Sequence, residues 1–340
     1  MRSFKGKLAV ITGGGTGMGR ELAVQLATEG CHIAMCDVSE VNMTETAARC
    51  HAAGGNELSI TTHLCDVSDE AQMLAFRDAV TEQHGTDAIN LLFNNAGIGG
   101  GGSLFDDDRA SWDKCFAVCW NGVLNGTRAF LPMLAASDEG HIVNTSSING
   151  IWAYIGPQTP HTSYSAAKFA VKGFTEALIT DLRINAPHVH CSVVMPGHIG
   201  TQIVANSMAV LGRDPAQMSA PEIDEIRQML VGMKLPVDNL PDDDIRALMR
   251  ARAQMFETEA PTTAADAATV ILDGVRAKRW RILVGEDAVV LDALVREDPE
   301  NAYETEFVER LVAKGHMVNL MQSAETASAN MASHQTREEG

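Results

Sequence analysis

Apolar residues fall in short, nearly unbroken runs along the chain, and amphipathic stretches separate them. The runs are LAVIT (8–12), HIAMCDV (32–38), ITTHLCDV (60–67), INLLFNN (89–95), HIVNTSS (141–147), HVHCSVVMPG (188–197) and WRILVG (280–285). They do not alternate strictly, which is the pattern of strands covered on both faces. Helical spacing follows the first run over Arg20–Glu29 and the second over Glu40–Ala53. A third helix is predicted over Ser68–His84, opened by the capping signature Asp66-Val67-Ser68-Asp69-Glu70. Strand and helix in this rhythm predict an α/β fold, with a doubly wound parallel sheet of about seven strands and helices on both faces.

The rhythm breaks after residue 201. Residues 202–260 hold no convincing strand and read as helices rich in Met, Leu and acids, punctuated by Pro215, Pro221, Pro236 and Pro241. A helix near 262–278 and the run WRILVG then resume the sheet pattern. Residues 202–260 therefore read as an insertion on the sheet edge within one domain, residues 1–321. The stretch 322–340 is rich in Ser, Ala, Thr and Glu and is expected to be disordered.

Charge and composition narrow the function classes. A formal net charge of -18 over 340 residues argues against a nucleic-acid or anionic-membrane surface. Seven cysteines without a CxxC pair predict no disulfide framework, and Cys115 and Cys119 read as small buried apolar residues. Eleven histidines show no HExxH spacing, and no metal site is expected. The N-terminus reaches glycines too early for a signal peptide, and no apolar run approaches membrane-spanning length. These features read as a reduced, cytoplasmic protein.

Two stretches carry candidate chemistry. The first run feeds into 12-TGGGTGMG-19, with Gly13, Gly15, Gly17 and Gly19 among Thr16 and Met18, immediately before a helix. Glycines there allow a tight turn and let a pyrophosphate approach backbone N–H groups at the helix start. Asp37 closes the second strand and is followed by Val38. A carboxylate at that place accepts from ribose hydroxyls and repels a 2′-phosphate, which predicts NAD over NADP. In 161-HTSYSAAKFAV-171, Tyr164 and Lys168 stand one helical turn apart on one face. A cation beside a phenol favours the phenolate and lowers its pKa, giving an acid/base near neutral pH.

TGGGTGMG, Asp37, Asp66-Val67, NNAG (94–97), Asn121, IVNTSS (142–147), YSAAK (164–168) and PGHIGT (196–201) occur in an order that resembles the short-chain dehydrogenase/reductase family, in its compact subgroup. The resemblance covers residues 5–201 tightly and 262–285 more loosely. It implies a Rossmann-like fold and a secondary-alcohol dehydrogenase or ketoreductase. Asp66 and Val67 would sit by the adenine. Asn94, Asn95, Ala96 and Gly97 would stabilise the sheet and flank the cofactor ribose, and Asn121 would shape its helix and hold a water leading to Lys168. Ser147 would bind the substrate oxygen, Tyr164 would be the acid/base, and Lys168 would bind the nicotinamide ribose. Pro196, Gly197, Ile199 and Thr201 would hold the carboxamide. A homodimer or homotetramer would assemble through the helices containing 109–136 and 162–185.

Departures from the family's pattern bear on substrate. Ser147 and Tyr164 stand further apart than is common in the family, and the extra residues should bulge above the site. Trp152, Tyr154 and Ile155 become pocket candidates, as does His198. Ser147 rather than Ser146 rests on motif alignment. The glycine-rich 97-GIGGGGS-103 reads as a flexible connection. Apolar residues of the insertion, among them Ile203, Val204, Met208, Leu211, Met218, Met233, Met249 and Met255, suggest a bulky apolar alcohol, steroid-like, terpenoid or aryl. Packing of the insertion onto the domain or onto a neighbouring subunit explains them equally well. The acidic groups Asp106–Asp108 and Asp242–Asp244 read as caps or turns. A polyol, sugar or hydroxyacyl dehydrogenase and a non-catalytic nucleotide-binding relative remain the alternatives.

Overall fold

The structure, a computed structural model, describes residues 1–105, 108–156, 159–232 and 235–316. In chain order the elements begin β1 (Leu8–Thr12), α1 (Gly17–Thr28), β2 (His32–Asp37), α2 (Glu40–Gly54), β3 (Ile60–Leu64), α3 (Glu70–His84) and β4 (Leu91–Asn94). Next come α4 (Arg109–Phe116), a π turn (Ala117–Asn121), α5 (Gly122–Ala135), β5 (Gly140–Thr145), a 3-10 turn (Ile148–Gly150), α6 (Thr162–Asn185) and β6 (Val189–Pro196). The chain continues through β7 (Ile199–Gly200), α7 (Ile203–Val210), α8 (Ala220–Gly232), α9 (Asp242–Thr258) and β8 (Thr262–Thr263). It ends in α10 (Ala264–Arg276), β9 (Arg281–Val284), α11 (Glu286–Glu297) and α12 (Thr305–Ala313).

Seven strands form one parallel sheet in the order β3-β2-β1-β4-β5-β6-β9. All seven apolar runs became its strands. Successive residues serve opposite layers, as strand pleating requires. Val10, Leu92 and Ile142 face the core under α3, α5 and α6. Ala9, Ile11, Phe93 and Val143 face the core under α1 and α10. The edge strand β3 is only half covered, and Leu64 is exposed. The helix expected from Ser68 starts at Glu70, because Asp69 is the cap, accepting from the Ala71 and Gln72 N–H groups.

Strand order reverses between β1 and β4, which opens a crevice at their carboxyl ends. The insertion does not lie on the sheet edge as expected. It spans this crevice. Asn206 of α7 donates to the Thr16 hydroxyl at 2.9 Å, beyond β1, and the Ser207 hydroxyl accepts from the Gly99 N–H at 2.8 Å, beyond β4. Its two feet are joined by a two-residue parallel ladder, Ile199–Gly200 against Thr262–Thr263, too short to register in a periodic pattern. Met218, Ile223, Leu230, Val237, Ile245 and Met249 give the insertion a small core of its own. The acids Asp242 to Asp244 occupy the first turn of α9, where the helix dipole favours them. Helices α11 and α12 were not anticipated at all. Asp106, Asp107, Met233 and the tail 322–340 lie outside the described residues.

Candidate active site

The loop after β1 is shaped by positions that admit no side chain. Gly13 and Gly17 have φ of 66° and 53°, in the left-handed region. A β-carbon at Gly19 would lie 2.0 Å from the Gly13 carbonyl oxygen, and one at Gly15 would lie 2.8 Å from Asp37 Oδ2. The loop thus lies against its own helix start and against Asp37, leaving the open N–H groups of α1 facing the crevice. Asp37 is held in place: Oδ2 accepts from the Gly15 N–H at 2.9 Å and Oδ1 from the Ser39 N–H at 3.0 Å. Val38 beside it is exposed, and Met18 packs on the core under α1.

The opposite lip follows β4. Asn94 is buried and ties β4 to β5, donating to Asn144 Oδ1 at 2.8 Å and the Thr127 hydroxyl at 3.1 Å. Thr12, which the site expectations omitted, and Asn95 stitch the two lips together. The Thr12 hydroxyl accepts from the N–H groups of Asn95 and Ala96, each at 3.0 Å. The Asn95 side chain donates to the carbonyls of Thr12 and Gly13. Asn95 stood in the NNAG motif and was legible there. Asp66 is engaged by Ser68 and the Lys114 ammonium, and Val67 is buried against Gly122.

Tyr164, Lys168 and Ser147 converge at the inner end of this crevice, all buried. Lys168 Nζ lies 5.3 Å from the Tyr164 ring centroid and donates to the Thr145 carbonyl at 2.9 Å. A side chain at Gly97 would come 3.4 Å from that nitrogen, so the lysine borders the lip after β4. No carboxylate pairs with Lys168 among the described residues. The two serines differ in hydrogen bonding, the Ser147 hydroxyl accepting from the Asn149 N–H at 3.1 Å. The Ser146 hydroxyl donates to the Lys168 carbonyl at 2.7 Å and is consumed inside the scaffold. Ser147 starts the 3-10 turn and lies beside the phenol, favouring its ionised form. The expectation of a lowered Tyr164 pKa is corrected. Burial raises it above the ordinary phenol value, and the opposing pull of Lys168 does not offset that.

Two further expectations, those for Trp152 and His198, change. Asn121 ends the π turn, and its side chain makes no hydrogen bond among the described residues. The residue of that turn facing Lys168 is Cys119, two positions earlier and on the other side of the helix. Cys119 and Cys115 both donate to the Ile98 carbonyl, at 3.1 and 3.7 Å, and all seven cysteines are free and buried. Trp152 is enclosed by protein rather than open to a pocket. It is 1% exposed, lies against Tyr154 and Phe307, and its indole N–H donates to the Ala302 carbonyl at 2.6 Å. Sequence spacing could not show this, because the partner is 150 residues away. The His198 ring is turned to α9, lying on Phe256 and donating to its carbonyl at 2.8 Å.

A groove of about 630 Å³ is lined by Tyr154, His161, Thr162, Ser165 and Phe169. At 100° per residue these α6 positions point away from Tyr164 and Lys168. His161, which lines the groove, stacks its ring 4.6 Å from that of Tyr164.

A sequence profile of the short chain dehydrogenases matches residues 7–210. The chain belongs to the short-chain dehydrogenase/reductase family. It is accordingly an oxidoreductase of that family. Mycobacterium tuberculosis SadH is 33% identical over 296 residues, spanning 87% of this chain and 92% of its own. The levodione reductase of Leifsonia aquatica is 35% identical over 229 residues, spanning 66% of this chain and 80% of its own. A crystal structure of a Burkholderia phymatum short chain dehydrogenase/reductase in complex with NAD superposes with a TM-score of 0.70 at 32% identity, covering 88% of this chain and 96% of that one. No helix among the described residues of this family member is long and apolar enough to cross a membrane.

Proposed function

We propose that this family member is an NAD-dependent oxidoreductase that interconverts a secondary alcohol and its ketone, with Tyr164 as the acid/base. The observation that carries this is the convergence of a phenol, an ammonium and a hydroxyl at the closed end of a glycine-walled crevice. The cradle suits a nicotinamide dinucleotide. Gly13 to Gly19 offer backbone N–H groups for its pyrophosphate, Asp37 faces its ribose, and Pro196, Gly197, Ile199 and Thr201 form the strap for its carboxamide. When bound, that group supplies or accepts the hydride. Tyr164 moves the alcohol proton at Oη, and Ser147 orients the substrate oxygen. Lys168 opposes the burial penalty on the phenolate.

Preference for NAD is supported by Asp37 and by the engagement of its neighbouring cation. Arg20 donates to the Gly15 carbonyl and pairs with Glu45, so it is not free to meet a 2′-phosphate. The similarity to an NAD complex and to a levodione reductase supports the same cofactor class and a carbonyl compound as one side of the reaction. An apolar substrate now rests on Ile203, Val204 and Leu211 at α7. Met218 and Met249 instead fill the insertion's own core, with Met208 packed against it, and Met255 is 40% exposed. Residues 202–260 act as the lid. We place the protein in the cytoplasm as a homodimer or homotetramer. The exposed stripe of Ala166, Phe169, Gly173 and Ala177 on α6 supports the association.

A panel of secondary alcohols with NAD and NADP, run on the wild type and on Tyr164→Phe, tests the reading. The variant should bind NADH normally and lose on the order of 10²–10⁴ in turnover. Near-normal turnover in that variant would refute the assignment, and turnover of polyols alone would replace the apolar substrate.

A further inference from the structure

We propose that Asp287, which stands outside every motif of the sequence, is a positioning residue for the nicotinamide end of the cofactor. Its carboxylate holds the backbone of the strap 196–201. The inference rests on the reading of that strap as the carboxamide holder and adds to it the group that sets its shape.

Asp287 lies in the first turn of α11 and is 4% exposed. No cation pairs with it among the described residues. Its partners are backbone N–H groups: Oδ2 accepts from His198 at 2.6 Å and Oδ1 from Ala288 at 2.9 Å. Hydrogen bonds to a charged acceptor are shorter and stronger than neutral ones, and burial sharpens them.

The slot that takes the carboxylate exists only because two neighbours lack side chains. A β-carbon at Gly197 would lie 2.1 Å from Oδ1 and 2.2 Å from Oδ2, and one at Gly285 would lie 2.4 Å from Oδ1. Gly197 also donates to the Val284 carbonyl at 2.9 Å, which draws the strap onto the end of β9. The His198 ring anchors the other side on the Phe256 carbonyl. Ile199 and Gly200 then enter the short ladder with Thr262 and Thr263. The strap is therefore shaped by α11 from one side and α9 from the other. A carboxylate in the first turn of a helix also favours that helix through its dipole, and the same contacts would then only hold α11 in place.

Two ligands separate these roles, because ADP-ribose lacks the nicotinamide. With the full-length protein, NADH and ADP-ribose are titrated calorimetrically into the wild type, Asp287→Ala, Asp287→Asn and Thr201→Ala. Asp287→Ala should weaken NADH about tenfold and leave ADP-ribose unchanged. Asp287→Asn, which keeps an acceptor oxygen, should recover most of the loss. Thr201→Ala reports on the strap itself and should show the same NADH-selective loss. Equal weakening of both ligands by Asp287→Ala overturns the proposal, as does no weakening where Thr201→Ala weakens NADH. If Thr201→Ala leaves NADH binding untouched, the strap reading fails and this inference falls with it. Should Asp287→Ala fail to fold, Gly197→Ala crowds the carboxylate directly and must produce the NADH-selective loss.

Discussion

Replacing Trp152 by alanine separates a fastening role from a substrate-lining role. The indole is enclosed by Tyr154, Phe307 and the neighbours Ile148, Leu291 and Leu311, with ring centroids 4.8 and 5.4 Å from those of Tyr154 and Phe307. A buried tryptophan removes about 150–250 Å² from water. At about 25 cal/mol per Å² that is roughly 4–6 kcal/mol, an upper bound because unfolded chains are partly compact. Losing the bond to the Ala302 carbonyl adds about 1 kcal/mol. Measured losses for such truncations run about 3–5 kcal/mol, and we expect that range here. The domain has about 5–15 kcal/mol to lose, so the variant should fold with a much lower urea midpoint. Because the 3-10 turn joins Ser147 to Trp152, turnover should fall while KM for the alcohol changes little. Urea denaturation followed by circular dichroism and steady-state kinetics on the same preparation check both parts. An unchanged midpoint with a raised KM would show that the indole meets substrate after all.

Two further predictions concern the crevice and the sheet. Gly19→Ala places a methyl group 2.0 Å from the Gly13 carbonyl oxygen, so NADH affinity measured by fluorescence should drop at least tenfold with the fold intact. His141 is buried and neutral, its pKa pushed down to about 3 by burial first and by His190 next. Its Nε2–H donates to the Ser192 hydroxyl, which donates to the Arg279 carbonyl, while Nδ1 has no partner to receive a proton's bond. The folded pKa lies below the unfolded value of about 6.5. Its stabilising contribution is thus complete above pH ~6.5 and is lost as pH falls toward 3. Urea midpoints between pH 7 and 4 should fall more steeply for the wild type than for His141→Gln, and parallel slopes would contradict this.

Much of the protein was written in local pattern. Strands buried on both faces must be continuously apolar, so seven runs were enough to place the sheet. The placing of the glycine loop against Asp37 and of Tyr164 beside Lys168 was legible because each is set by neighbours within a turn or a strand end. Residues whose role depends on a distant partner were not. Trp152 looks like a pocket aromatic until α12 covers it, and Asp287 is an ordinary acid until Gly197 and Gly285 open a slot for it. Cys119 reads as a plain buried residue in the sequence, and only the π turn and the packing of α6 bring it to the side of the helix near Lys168. Periodicity and turn chemistry are properties of a segment, so the sequence alone determined the seven sheet strands and the first helices between them, but not the short β7–β8 ladder or α11 and α12. Which face of a buried side chain finds a partner depends on contacts made across more than a hundred residues, and only the tertiary structure decided that.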